Sequence, residues 1–355
     1  MKKERVAYFD HLRVFATLAV VVLHTAAQLW YSADPKGLDW NITNFYGSLV
    51  RWGVPVFLMI SGALFLPREI PTKTLYSKYI ARMVSAFALW SVIYALGLPL
   101  VDKLLHPGYA YPFSSRLSAI IAGHYHMWFI PMIIGIYMCI PLLRQLLRSE
   151  TVTRYFLVLT FVFAFAIPQL VDMANDFIGG KFANVVNMLY YSMDNLKLGM
   201  LSGFALYFIL GYLLSQRELS KRQRRVIYAL GVVGGLSTLV FSALASCRTG
   251  AACKAYYDEL SVNVFVQAVA VFTWFRHRDF SGEKWNRVME KLSKYSFGVY
   301  LCHVFVLDSL QKVGIHTGRF AMLLSIPVIA VVTVIISCFI SWVLNQIPVV
   351  KKWMV

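Results

Sequence analysis

The sequence predicts an all-helical, polytopic membrane protein of about ten transmembrane helices, with both termini on the cytoplasmic side. Three observations carry that prediction. Of 355 residues, 59% are hydrophobic and only 14% are charged, a balance that an ordinary soluble domain does not show. Apolar runs long enough to cross a bilayer core as helices recur along the whole chain. Lysine and arginine gather in alternate loops, as the positive-inside rule requires.

The expected spans are residues 12–33, 44–66, 79–101, 127–147, 153–171, 196–215, 226–245, 258–276, 295–313 and 320–344. An even number places both ends on one side. Lys2, Lys3 and Arg5, the cluster Arg217–Arg225, the cluster Arg276–Lys294, and Lys351 with Lys352 all fall on that side. The opposite loops hold far fewer, among them Lys36, Lys103 and Lys254. The formal net charge of +17 is therefore mainly a topology signal, with a polyanionic cytoplasmic ligand as the second reading. It does not point to nucleic acid. A single domain over residues 1–355 is expected, with no appended soluble domain and no cleaved leader. The basic N-terminus precedes an apolar run too long for a signal peptide.

The first span carries the most informative pair. Arg13 lies at its entrance and His24 deep inside. Eleven positions bring a helix to within roughly 20° of three full turns, so both side chains share a face, about 16 Å apart along the axis. Ionisable groups at membrane depth are costly and mark function. A neutral imidazole there suits a general base toward a hydroxyl. Asp10, three residues before Arg13, offers it an ion pair; snorkelling is the other reading of Arg13.

The second span carries Arg51 about 10 Å from its outer end, with Pro55 and the Ser61–Gly62 pair below it. Helix packing accounts for small residues such as Ser61. It does not account for Arg51. Lys78 and Arg82, four apart at the inner end of the third span, share a helix face. They suit either topology or phosphate binding. His124 and His126 precede the fourth span at the outer interface, followed by Trp128. Their spacing fits a metal only weakly, and no metal site is expected. His303 lies about 13 Å into the ninth span, a depth comparable to His24.

The outer loops are rich in aromatics and acids, including Trp30, Tyr31, Trp40, Tyr109, Tyr111, Tyr125, Asp172, Asp176, Tyr256, Tyr257 and Glu259. They read as an interfacial belt or as a platform for sugar rings. Of the five cysteines, Cys139, Cys302 and Cys338 sit in apolar segments as packing residues. Cys247 and Cys253 share one outer loop, where they would form a disulfide or remain two free thiols.

These residues resemble the acyltransferase 3 family of integral membrane acyltransferases. The family signature is a basic residue, ten residues, then histidine in the first span, here Arg13 and His24. The likeness continues in VPVFLMISGALF, HYHMWFIPMIIGIYMCIPLL and YSFGVYLCHVFVL. It spans nearly the whole chain and looks closest to surface-polysaccharide O-acetyltransferases of the enterobacterial common antigen kind. The resemblance implies a cytoplasmic acyl-CoA donor, usually acetyl-CoA, and a glycan or lipid-linked glycan acceptor outside. The setting would be a bacterial inner membrane, with membrane lipids as the other partner; an oligomer stays open, and no cofactor is bound. It implies His24 and Arg13 as catalytic residues. Donor and substrate binding would fall to Arg51, Lys78, Arg82, His303, Trp128, Ser61 and Asp10. Lys78 and Arg82 stand where the family carries an arginine-x-x-arginine pair that meets CoA, and depart from it in spacing and in the lysine. The rival readings are a secondary transporter, which predicts solute flux without CoA, and a non-catalytic scaffold, for which no intramembrane charge matters.

Sidedness is directly testable. A Ser220→Cys variant should resist a membrane-impermeant maleimide in intact cells, and a Leu38→Cys variant should react. Reversed labelling would invert the topology and leave a cytoplasmic donor without its basic entrance.

Overall fold

The computed structural model describes residues 6–106, 113–194 and 203–353. Lys2, Lys3, Arg5, Tyr109, Tyr111 and the first part of the sixth expected span, 196–202, lie outside the described residues. Among those residues every regular element is helical. In chain order they are α1 (Ala7–Trp30), α2 (Leu38–Phe65), α3 (Thr72–Leu105), α4 (Phe113–Ala122), α5 (Phe129–Leu146) and α6 (Glu150–Ile178). There follow α7 (Gly180–Asp194), α8 (Gly203–Gln216), α9 (Lys221–Thr249), α10 (Val262–Arg276), α11 (Glu283–Lys312), α12 (Met322–Gln346) and α13 (Pro348–Trp353).

Seven helices are long and apolar enough to cross a membrane: α1, α2, α3, Arg116–Leu146, α6, α9 and α12. The shorter apolar helices α8 and α10 accompany them. α11 begins polar and turns apolar only in its second half, where the ninth span was expected. The chain is thus an all-α polytopic membrane protein, with each expected span overlapping a helix.

Two boundaries differ from expectation for visible reasons. α2 begins at Leu38 rather than 44 because Trp40 is fully buried. Its indole Nε1 donates to the Trp30 carbonyl at 2.9 Å, and its ring stacks on Trp30. The sequence predicts a loop after 171. Instead α6 continues through Asp172 and Asp176 to Ile178, and α7 begins at Gly180, with Gly179 and Gly180 both in the positive-φ region that glycine tolerates.

α1 is the hub. It packs on α2, α10, α11 and α12, and its small residues Ala16, Ala19 and Ala26 are almost wholly buried. Small side chains let membrane helices approach closely where no solvent drives them together. α9 starts on a reciprocal cap: Ser220 Oγ accepts from Gln223 N, and Gln223 Oε1 accepts from Ser220 N.

The tightest crossing joins the second half of α2 to α8. A Cβ added at Gly62 would stand 1.7 Å from the Phe208 carbonyl oxygen, and one at Gly211 would stand 2.1 Å from that of Met59. Backbone lies against backbone there, so neither neighbour can rotate away. Gly62→Ala should therefore destabilise the bundle by about 1–3 kcal/mol, read as a lower thermal-unfolding midpoint in detergent. Gly135→Ala, whose Cβ would meet nothing within 4 Å, should leave the midpoint unchanged or raise it.

Candidate active site

Three cavities follow α1. The largest, about 880 Å³, is lined by Tyr8, Asp10, Arg13, Arg68 and Arg276, among others. The middle one, about 150 Å³, is lined by Arg13, Ser61, Phe129, Tyr137, Phe297 and Tyr300. The third, about 330 Å³, holds His24, Arg51, Tyr125, Trp128, Tyr257 and Glu259. Arg13 lines both the first and the second, and Val54 both the second and the third. The cavities therefore form a series, with Arg13 and His24 on one wall.

His24 projects from α1 into a cluster of rings from three other helical segments. Its centroid lies 5.1 Å from that of His303, 5.8 Å from Tyr125 and 6.2 Å from His126. His126 and His303 are 5.2 Å apart, edge to face. His124 Nδ1 meets His126 Nδ1 at 3.0 Å, and its Nε2 lies 3.6 Å from Asp308. Tyr300 donates its hydroxyl to the His126 carbonyl. The histidines of the fourth segment, read from sequence as interfacial, thus join His24 and His303.

Tyr94 fixes this cluster from α3. Its ring stacks on His124 at 4.4 Å and lies 5.1 Å from His126. Its hydroxyl donates to the Leu301 carbonyl at 2.9 Å and accepts from Phe305 N at 2.8 Å. Leu301 and Phe305 are four apart, so they are the two ends of one α-helical hydrogen bond. The phenol is inserted into the α11 ladder one turn around His303, an insertion that bends helices. Tyr94 looked like one more aromatic in an apolar run; its only sequence signal was a polar tip at the depth of the histidines.

Arg51 ends the first half of α2, where Val50 gives way to a turn before Gly53. Its guanidinium lies 3.6 Å from Glu259 and 4.7 Å from the Tyr257 ring centroid. Its Nε is buried without a hydrogen-bond partner among the described residues. Glu259 belongs to the loop between α9 and α10. Burial pushes its carboxyl up, and the Arg51 charge offsets this only in part. Trp128 borders the same cavity, beside Phe204.

At the other end, Arg13 Nη1 donates to Ser293 Oγ at 3.0 Å. Asp10 is buried on the wall of the largest cavity. Ser61 returns its hydroxyl to the Phe57 carbonyl and borders the middle cavity. Lys78 and Arg82 lie over different rings. Lys78 sits in a π-helical turn, Leu75–Ile80, whose wider winding upsets the i, i+4 register. It is exposed over Tyr79, whereas Arg82 lies half-buried over Phe297. The cations that do border the large cavity with Arg13 are Arg68 and Arg276. In the sequence Arg276 falls among the topology charges, and nothing sets Arg68 apart from them.

The outer aromatics divide. Trp40 and Tyr256 are fully buried and offer no face to a ligand, whereas Tyr31 and Tyr125 are exposed. Cys247 and Cys253 are both free thiols. Cys247 Sγ donates to the Pro35 carbonyl, while Cys253 Sγ lies 3.8 Å from Asp176. Among the described residues no group of three or more His, Cys, Asp or Glu is arranged to hold a metal ion.

Fold and site together define a multi-pass membrane protein with a buried cluster of histidines beside a cavity that holds His24. The acyltransferase domain model of the acyltransferase 3 family matches residues 6–343. The chain belongs to that family and is a membrane acyltransferase. Comparison with curated proteins and with solved structures returned no match.

Proposed function

We propose that this enzyme is an O-acetyltransferase of a bacterial inner membrane. It moves an acetyl group from cytoplasmic acetyl-CoA to a hydroxyl of an extracytoplasmic glycan or lipid-linked glycan. The observation that supports this reading best is the series of cavities, with His24 in the last of them. CoA joins an anionic, phosphorylated head to a long thin arm. The large cavity, with Arg13, Arg68 and Arg276 on its wall, suits the head, since guanidinium groups bind phosphate in a bidentate manner. The narrow middle cavity suits the arm. The third cavity, with Tyr125, Trp128 and Tyr257 beside Arg51 and Glu259, suits a sugar ring bearing hydroxyls.

In this mechanism His24 takes the proton of the acceptor hydroxyl. The oxygen adds to the thioester carbonyl, and the tetrahedral oxyanion forms beside Arg51, whose Nε is free to donate to it. The C–S bond then breaks with its electron pair on sulfur. His24 returns the proton to sulfur, giving an acetyl ester and CoA thiol with His24 neutral again.

The purified protein in liposomes, given radiolabelled acetyl-CoA and candidate glycans, should transfer label only when both are present. Solute flux with no transfer would favour a transporter and overturn the reading. His24→Ala should lower turnover by ~10²- to 10⁴-fold, the usual worth of a general base, while leaving expression and elution profile intact. Near-normal turnover would remove His24 from the chemistry. Neutralising Arg68 and Arg276 together should raise the KM for acetyl-CoA more than that for the acceptor. The effect should be stronger at low salt, where exposed charges are least screened. Lys78→Ala, changed on an exposed face, should leave the donor KM as it is.

A further inference from the structure

His303 is wholly buried and is not part of the wall of the third cavity. A substrate in that cavity meets His24 and not His303. The Nδ1 of His303 lies 2.7 Å from the Tyr300 carbonyl oxygen and 3.2 Å from that of Val299. A carbonyl can only accept, so Nδ1 carries the proton. In the neutral ring that leaves Nε2 as an acceptor. This Nε2 is buried and has no hydrogen-bond partner among the described residues. Buried polar atoms are rarely left so, and each one asks for an explanation.

The anchoring of Nδ1 turns the opposite nitrogen away from the α11 backbone. The neighbouring imidazole rings are those of His24 at 5.1 Å and His126 at 5.2 Å. His126 has its Nδ1 engaged with His124, and its Nε2, like that of His303, is buried with no hydrogen-bond partner among the described residues; of the two rings it is His24 that lines the third cavity. No hydrogen bond joins the His24 and His303 rings in the structure as it stands; at a centroid separation of 5.1 Å a turn of the His24 ring would bring one of its nitrogens within hydrogen-bonding reach of His303 Nε2. The inserted Tyr94 hydroxyl fixes α11 on both sides of His303, at Leu301 and Phe305.

We propose that His303 is the positioning residue of the catalytic base: its Nε2 accepts the N–H of His24 and so selects the His24 tautomer whose lone pair faces the acceptor. The inference rests on the reading of His24 as general base. The arrangement does for His24 what the aspartate does for histidine in serine hydrolases, which is to fix tautomer and orientation. A neutral acceptor suits this place, because a carboxylate at membrane depth carries a heavy desolvation cost. When His24 takes the acceptor's proton, both its nitrogens become donors and the bond to His303 persists. When the proton passes to sulfur, the starting tautomer is restored. His303 itself gains and loses nothing.

The test compares His303→Leu, which fills the space without an acceptor, with His303→Gln, whose amide oxygen reaches close to the Nε2 position. Both are made in the full chain, purified in detergent, and assayed for acetyl transfer from acetyl-CoA. His303→Leu should lower kcat by ~10²- to 10⁴-fold, with both KM values within about twofold of the parent. His303→Gln should recover at least ~10-fold of that loss. In ¹⁵N-histidine spectra the protonated-nitrogen signal of His24 should shift in the leucine variant and hold in the glutamine variant. Parent-like kcat in His303→Leu, with His24→Ala inactive, overturns the proposal and leaves the base assignment standing. So do equal losses in both variants with the His24 signal unmoved. An active His24→Ala protein instead sinks the underlying reading. Should His303→Leu fail to fold, His303→Asn replaces it; it lacks an acceptor at the Nε2 position, and glutamine no better than asparagine overturns the proposal.

Discussion

Imidazoles packed away from bulk water have to satisfy one another, and that constraint shapes the centre of this molecule. Each nitrogen in the cluster must find a donor, an acceptor or a reacting group, because membrane depth offers little else. His303 turns one nitrogen to its own backbone, and His126 shares one with His124. Tyr94 and Tyr300 supply hydroxyls to the carbonyls nearby. Three separate helical segments, α3, the 124–128 stretch and α11, are tied to one another through these contacts. Their mutual position is therefore set by hydrogen bonding as much as by apolar packing, which discriminates poorly between helices in lipid.

Small residues make the arrangement possible. α1 can be a hub because Ala16, Ala19 and Ala26 let neighbours close in. The bare backbones at Gly62 and Gly211 lock α8 to the lower half of α2. Above that clamp, the chain between Val50 and Gly53 turns, which puts Arg51 beside Tyr257 and Glu259. Packing density at one level thus releases space at the next, and the middle cavity lies where α2, α5 and α11 face one another.

Much of this was legible in the residues. Hydropathy located the helices, because span length is fixed by bilayer thickness. The shared face of Arg13 and His24 followed from helical geometry alone. What stayed hidden depends on tertiary register. The pairing of Lys78 with Arg82 assumed regular α-helix, and a π-turn through Leu75–Ile80 carried Lys78 outward. Arg68 and Arg276 carried no mark separating them from topology charges, since their common cavity is lined from four helices, α1, α2, α8 and α10. Trp40 read as an interfacial belt residue and is a fully buried packing residue. Tyr94 acts through a hydroxyl placed in another helix, and no local pattern announces such a contact.

The narrowness of the middle cavity has a consequence for the cell as well as for catalysis. A protein hollowed from both faces of an energised membrane risks short-circuiting the ion gradients across it. Here the cavities on either side share lining residues with a middle one of only about 150 Å³. Phe57, Phe129, Phe297 and Tyr300 line it together with the polar Arg13, Ser61, Tyr137 and Ser296. The aromatic part of such a wall resists wetting, and a hydrophobic constriction closes to ions by dewetting. A slender apolar chain can lie there at little cost, whereas a hydrated ion would have to shed its water. On the proposed function, the same aromatics that would admit one thin arm would also hold back hydrated ions.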